Sequence, residues 1–256
     1  MGDYEVFKKK IFEITKIDLS SYKEQQMRRR IDALITKRHA QSYDEYVKMI
    51  ASDKALLEEF VSYLTINVSE FYRNPEQWKI LENEIIPMLR LKRSNLKIWS
   101  AACSTGDEPY SLVMLLNKMN ALRGASITAT DIDREILEKA KSGIYLNSSL
   151  KGLPTDFLDK NFTKINDKTY QIHQDVKNYV NFKQHNLLKD EYPKDLDLII
   201  CRNVMIYFTE EAKNIIYKKF YDSLREGGVL FVGSTEQIIK AQELGFKNLR
   251  SFFYQK

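Results

Sequence analysis

Residues 98–112 read IWSAACSTGDEPYSL. A hydrophobic strand gives way to the small-residue turn Ala101 to Gly106. A helix then opens on two acids and a proline. Small side chains let a ligand approach the backbone, and the following helix start offers free N–H groups and a positive dipole end to an anion. Pro109 suits the first turn of that helix. The loop is neither a three-glycine dinucleotide fingerprint nor a P-loop. Gly106 is its only glycine, and no Gly-Lys-Ser/Thr follows.

Working outward, strand-like runs alternate with helical patterns from about Leu96. The strands are expected at 96–101, 127–131, 179–185, 196–201 and 228–234, and the helices at 109–119 and 135–143. Such alternation predicts crossover units and a mostly parallel sheet. Ligands of such sheets sit beyond the carboxyl ends of the strands. Asp131 ends the second strand, where an acid can hydrogen-bond both hydroxyls of a ribose, as in dinucleotide or S-adenosylmethionine sites. Asp133 is the better candidate to cap the next helix. The run LREGGVLFVG (224–233) reads as a helix end, a Gly-Gly turn and a strand. It resembles the fifth-strand element of class I methyltransferases, and the run 245–256 fits a closing antiparallel strand pair in that fold. Turn signals and β-leaning pieces between about 145 and 180 suggest a small β-rich insertion.

The 256-residue chain has room for one to two domains, and 43% hydrophobic residues can fill a core. Residues 1–66 read as a helical domain, with no proline and no glycine after Gly2. Within 22–38, Met27, Ile31, Leu34 and Ile35 form one apolar stripe, and Arg29 points away from it between Arg28 and Arg30. Further helices are expected at 43–50 and 54–64. A linker with a helix of its own, 67–95, leads to the α/β domain, 96–256, which carries the insertion.

Net charge is only +5, yet residues 7–38 carry ten Lys/Arg against four acids. Such a face is either plain solvated surface or a steering surface for an acidic partner. No apolar run is long enough to span a membrane, and the N-terminus lacks an apolar signal region and a myristoylation pattern. Cys103 and Cys201 lack metal-ligand spacing and read as reduced thiols, so a cytoplasmic, metal-free protein is expected. The triplet Asn67-Val68-Ser69 matches a glycosylation sequon that a cytoplasmic chain would not use.

Four motifs carry a more specific resemblance: NVSEFYRN (67–74), WSAACSTGDEPYSL (99–112), ATDID with EKAKSGIY (129–145), and CRNVMIYF (201–208). Together they resemble the chemotaxis receptor methyltransferases of the CheR family, nearly from end to end. The resemblance implies a class I S-adenosylmethionine-dependent methyltransferase fold behind a small all-α domain. It implies methyl transfer from S-adenosylmethionine to receptor glutamates, giving glutamate methyl esters and S-adenosylhomocysteine. Asn67, Ser69 and Arg73 are then expected in a linker over the cofactor. Ala102 and Gly106 line its loop, Glu108 faces the methionine amino group, Asp131 the ribose, and Asn186 and Leu187 the adenine. Arg202, Asn203 and Tyr207 lie beside the methyl group, with Arg73 and Tyr207 as the catalytic pair.

The same resemblance makes Arg28, Arg29 and Arg30 candidates for docking glutamate-rich receptor helices. Some family members grip a receptor pentapeptide with a glycine-rich loop in the insertion. Here 162–172 has no glycine, which argues against such tethering. Two other readings stay open: an RNA or other-substrate methyltransferase, and a non-catalytic S-adenosylmethionine-binding scaffold. Against the first stands the lack of a basic-aromatic stripe for nucleic acid.

Overall fold

The computed structural model describes residues 2–67 and 69–256, so Val68, the middle of the sequon-like triplet, lies outside the described residues. The chain divides into two compact units.

The first unit comprises the N-terminal residues through Asn67 together with Met205–Ile215. Its helices are α1 (Gly2–Thr15), α2 (Glu24–Lys37), α3 (Tyr43–Ser52) and α4 (Lys54–Leu64). Their starts follow local chemistry. Ser42 accepts from the Glu45 amide at 3.1 Å, while the Glu45 carboxylate reaches back to the Gln41 amide at 2.6 Å. Asp53 accepts from the amides of Ala55 and Leu56, which ends α3 and starts α4 in one residue. Phe7, Ile11, Ile31, Leu34, Tyr46, Ile50 and Phe60 are buried between the helices. On α2, Met27, Ile31 and Leu34 are buried as the stripe predicts, whereas Ile35 is only half-buried.

The returning segment 205–215 belongs to this core. The Lys23 amide donates to the Tyr207 carbonyl at 2.9 Å, and the Thr209 amide to the Ser21 carbonyl at 2.9 Å. The rings of Tyr22 and Phe208 lie 4.8 Å apart.

The second unit begins with a long helical stretch: α5 (Pro75–Ile80), a π turn (Leu81–Ile85) and α6 (Ile86–Lys92). Pro87 has no N–H to give to the preceding turn, and a π turn is how such a helix continues past it. The α/β elements then run β1 (Lys97–Ala101), α7 (Asp107–Lys118), β2 (Ser126–Asp131) and α8 (Arg134–Ser142). The insertion follows as β3 (Ile144–Leu146), α9 (Thr155–Asn161), β4 (Phe162–Asn166), β5 (Thr169–Ile172) and α10 (Gln174–Lys177). The main sheet resumes with β6 (Val180–Gln184) and β7 (Leu196–Cys201). After α11 (Glu210–Ser223) come β8 (Leu224–Val232), β9 (Lys247–Arg250) and β10 (Phe253–Gln255).

Among the described residues the main sheet has seven strands in the order β6-β2-β1-β7-β8-β10-β9, and the insertion contributes a separate antiparallel sheet, β3-β5-β4. Strands β6, β2, β1, β7 and β8 are parallel, and β10 pairs antiparallel with β8 and β9. The chain starts in the middle at β1, winds one way through β2 and β6, then returns to β7 on the other side. In open sheets of this kind, ligands bind at such a reversal, beyond the carboxyl ends of the strands, here β1 and β7.

The central parallel strands are covered on both faces, and β7 (LDLIIC) is buried at every position, whereas the edge strand β6 is largely exposed beyond Val180. Its one acid, Asp197, is fully buried and survives there because it is paired. It accepts from Arg225, from Arg93 at 3.4 Å and from the Lys97 amide at 2.7 Å. Trp99 on β1 is buried too, and its indole N–H donates to Thr130 at 2.9 Å.

One boundary differs from the sequence reading. The strand expected at 228–234 begins at Leu224. Leu196 pairs with Leu224 but Leu198 with Val229, so residues 225–228 bulge out of the ladder. Gly227, at φ +78°, makes that turn.

Candidate functional site

The loops at the carboxyl ends of β1 and β7 are built from backbone that ordinary residues avoid. Ala102 (φ +61°), Ser104 (φ +49°) and Gly106 (φ +87°) carry the loop after β1 through three left-handed turns. Tyr72 (φ +54°) and Asn74 (φ +60°) do the same in the linker, and Asn203 (φ +62°) after β7. Strain of this kind persists only where the surroundings over-determine it. Here the fastenings can be named. The Cys103 amide donates to the Thr130 carbonyl at 2.8 Å, the Ser104 amide to Asp131 Oδ2 at 2.9 Å, and the Tyr145 hydroxyl to the Thr105 carbonyl at 2.7 Å.

Gly106 is needed twice over. Its φ disfavours any side chain, and a Cβ there would lie 3.0 Å from Ala140 Cβ, 3.1 Å from the Tyr110 ring and 3.3 Å from Phe182. Gly106→Ala is therefore expected to cost about 1–3 kcal/mol in a urea titration of the full chain. A change under about 0.5 kcal/mol, the usual size of an inconsequential substitution, would show that the loop yields freely.

Asp131 and Asp133 divide the work at the end of β2. Asp133 caps α8 by accepting from the Ile136 amide at 3.2 Å. Asp131 does not cap it. Its two oxygens take the amides of Ser104 and Asp133, at 2.9 and 3.1 Å. Burial raises the Asp131 carboxyl to about 6 in spite of these donors.

Glu108, in the first turn of α7, has a side chain 13% exposed and meets Arg202 at 3.5 Å. Its other oxygen accepts from the Ser100 hydroxyl at 2.9 Å. Burial raises the Glu108 carboxyl, with Arg202 pulling the other way. Arg202 is the hub. One guanidinium nitrogen donates to the Arg73 carbonyl at 2.8 Å and to Asn74 and Gln77 side chains at 2.9 Å each. Its plane sits 4.8 Å above the Phe231 ring. Burial lowers its pKa, opposed first by Glu108. Its Nε, also buried, has no hydrogen-bond partner.

The linker is held from a second side, because the Tyr72 amide donates to Ser111 Oγ at 3.1 Å and Ser111 in turn donates to the Asp107 carbonyl. Ser69 hydrogen-bonds the buried Asp107 carboxylate.

The second unit thus gathers Ser69, Arg73, Ala102, Gly106, Glu108, Asp131, Arg202 and Asn203 around the carboxyl ends of β1, β2 and β7. Arg73 is half-buried, 3.8 Å from Glu70. Asn186 and Leu187 follow β6 on the same side. The Asn186 carboxamide oxygen accepts from the Leu188 amide at 2.9 Å, so it shapes its own turn, and the Leu187 carbonyl accepts from Tyr192 at 2.7 Å. Asn67 and Tyr207 belong to the first unit, where the Asn67 amide donates to Thr65 at 2.9 Å.

Sequence reasoning passed over Gln77 and Glu236. Both are buried polar residues, and neither is set in a recognisable motif. Of the three arginines on α2, Arg30 is engaged within its own unit by the Tyr63 carbonyl and ring. Arg28 lies over the Tyr4 ring at 5.2 Å, and Arg29 is exposed.

A parallel sheet reversing at β1 and β7, closed by an antiparallel pair and carrying an acid at the end of β2, defines the class I S-adenosylmethionine-dependent methyltransferases. The description "CheR methyltransferase, SAM binding domain" matches residues 67–253, and "CheR methyltransferase, all-alpha domain" matches residues 2–65. The chain belongs to the CheR methyltransferase family. It is 43% identical over 255 residues to a chemotaxis protein methyltransferase of Listeria innocua, covering 99% of this chain and 97% of that protein. The counterpart in Listeria monocytogenes gives the same identity and coverage. A chemotaxis protein methyltransferase of Salmonella typhimurium is 36% identical over 203 residues, covering 76% of this chain and 69% of that protein.

Proposed function

We propose that this protein methylates glutamate side chains on the cytoplasmic helices of chemoreceptors, leaving glutamate methyl esters and S-adenosylhomocysteine. The observation that carries the reading is the buried Glu108–Arg202 pair at the switch point of the sheet, in a chain whose relatives are named chemotaxis protein methyltransferases.

The residues present suit an adenosyl amino acid. The buried Asp131 and the largely covered Glu108, 13% exposed at its side chain, accept from the ribose hydroxyls and the amino group respectively, and Arg202 borders the methyl group. The loop 102–106 presents its backbone to the ligand, Asn186 and Leu187 border the adenine, and Ser69 and Asn203 lie on the same side of the second unit. S-adenosylmethionine supplies an electrophilic methyl group on a cationic sulfur.

A glutamate is already ionised at neutral pH, with a reference pKa of about 4.3, so no general base is needed. What this chain's residues contribute is alignment and exclusion of water. Arg73 and Tyr207 position the incoming carboxylate. Arg73 is one-third exposed, and a loosely held partner avoids over-stabilising the ground state. Arg29 is the arginine of α2 best placed to meet an acidic receptor helix, since Arg28 and Arg30 pack on aromatic rings of their own unit.

The test is to incubate the protein with methyl-labelled S-adenosylmethionine and a receptor cytoplasmic fragment, then treat the product with mild alkali. Label released as volatile methanol is expected, because esters hydrolyse and N- or C-methyl groups do not. Arg73→Ala and Tyr207→Phe should each slow that release while leaving the chain folded. Alkali-stable label would remove the glutamate assignment, and full turnover in both variants would remove the positioning pair.

A further inference from the structure

Glu236 lies four residues beyond the end of β8, outside all four motifs that mark the family resemblance. It is 5% exposed. A carboxylate so placed is costly unless its oxygens are satisfied. Here Oε2 accepts two backbone amides, from Asn203 at 2.6 Å and from Gly233 at 2.8 Å. The Glu236 amide closes a turn on the Gly233 carbonyl at 3.0 Å, which swings the side chain back over the strand ends. Gly233 makes room for it, because a Cβ at that position would lie 2.3 Å from Glu236 Oε2 and 2.9 Å from the Asn203 nitrogen.

The amide being held belongs to the residue after Arg202, in a left-handed conformation that asparagine tolerates but does not prefer. Strands β7 and β8 are neighbours, with Cys201 opposite Val232, so the carboxylate bridges two adjacent strand ends. The charge of Glu236 also reaches the buried guanidinium of Arg202, favouring its protonated form.

We propose that Glu236 is a positioning residue for the cofactor site: its carboxylate pins the Asn203 amide and thereby sets the direction in which Arg202 and Asn203 leave β7. It acts through the length of its side chain and the acceptor at its end. The proposal rests on the reading that Arg202 and Asn203 border S-adenosylmethionine.

Two conservative variants separate reach from charge. Glu236→Asp keeps the charge but is one methylene short of the two amides. Glu236→Gln keeps the reach and a carbonyl oxygen able to accept both. Binding of S-adenosylmethionine and S-adenosylhomocysteine to the full-length chain is measured by titration calorimetry, with circular dichroism to confirm folding. Glu236→Asp is expected to weaken both ligands roughly tenfold or more, since the shortened side chain no longer reaches the two amides. Glu236→Gln should restore affinity to within about threefold of the parent. A merely structural role would lower the melting temperature of Glu236→Asp and leave its affinity at the parental value, which would overturn the proposal. Loss of affinity in Glu236→Gln as large as in Glu236→Asp would overturn it too, because charge and not reach would then be the operative property. If Asp131→Ala weakens binding and Glu236→Asp does not, the positioning role alone has failed. If the parent chain binds neither ligand, the cofactor reading and this inference fall together.

Discussion

Arg202→Ala is expected to destabilise the second unit by about 3–5 kcal/mol, the usual cost of removing one partner from a buried, hydrogen-bonded ion pair. The guanidinium is 3% exposed at its side chain and Glu108 only 13%. Its removal leaves the Glu108 carboxylate without its buried cation and exposes the face of Phe231 that the guanidinium covered. It also leaves the Arg73 carbonyl and the side-chain oxygens of Asn74 and Gln77 without their donor. Those three acceptors belong to the segment that joins the linker to α5, so the variant should loosen that segment first. For a unit of this size the expected fall in melting temperature is roughly 10 °C. Hydrogen exchange at 69–80 should rise before that of β1 or β7. Arg202→Lys should recover little, because one ammonium cannot reproduce a fork that serves a carboxylate on one side and three oxygens on the other. A melting temperature within about 2 °C of the parent for Arg202→Ala would show that the buried network carries little of the stability.

Asp131 gives the second large effect, and its direction depends on pH. Its carboxyl stands at about 6, above the ordinary value, because burial disfavours the ionised form. A group raised in this way contributes stability that is fully present below its unfolded pKa of about 3.9 and lost as pH rises through the folded value. At neutral pH the folded chain therefore holds Asp131 ionised at a cost, and under the proposed function that ionised carboxylate is the form that would accept from two ribose hydroxyls. Affinity for S-adenosylmethionine should weaken as pH falls through about 6, by up to about tenfold per unit, with the fold intact. Asp131→Asn should weaken binding about tenfold or more at pH 7.5 and remove most of the slope. Any slope left reports Glu108, whose carboxyl is shifted the same way by burial. A variant with the parent's slope would show that Asp131 does not face the ligand.

Much of this was legible from local pattern. The helix 54–64 was readable end to end, since Asp53 supplies its cap within two residues and needs nothing from afar. The positions of β1, β2, β6 and β7 and the mostly parallel character of the sheet followed from hydrophobic runs alternating with helical patterns, whereas their order across the sheet came only with the fold. The roles of Asp131 and Asp133 were separable for a similar reason. A cap must sit just before the helix it serves, and Asp133 does.

What the linear order hid is long-range. Residues 205–215 read as part of the α/β region, yet they complete the first unit through backbone bonds to Ser21 and Lys23, more than 180 positions away. No periodicity encodes a pairing at that distance. Nothing in the linker sequence marks Gln77, and its burial comes with a hydrogen bond from Arg202, 125 residues on. Glu236 looks like one more acid in a polar turn, and only the meeting of two strand ends gives it two amides to hold.

Of the arginines at 28–30, their shared charge was plain, but which one stays free was not. Tyr4 and Tyr63 arrive from other helices to occupy two of them. Residue type and spacing settle caps, strands and the small-residue loop, because those depend on neighbours within a few positions. The site's electrostatics depend on which charges are buried together, and burial is a property of the folded chain alone.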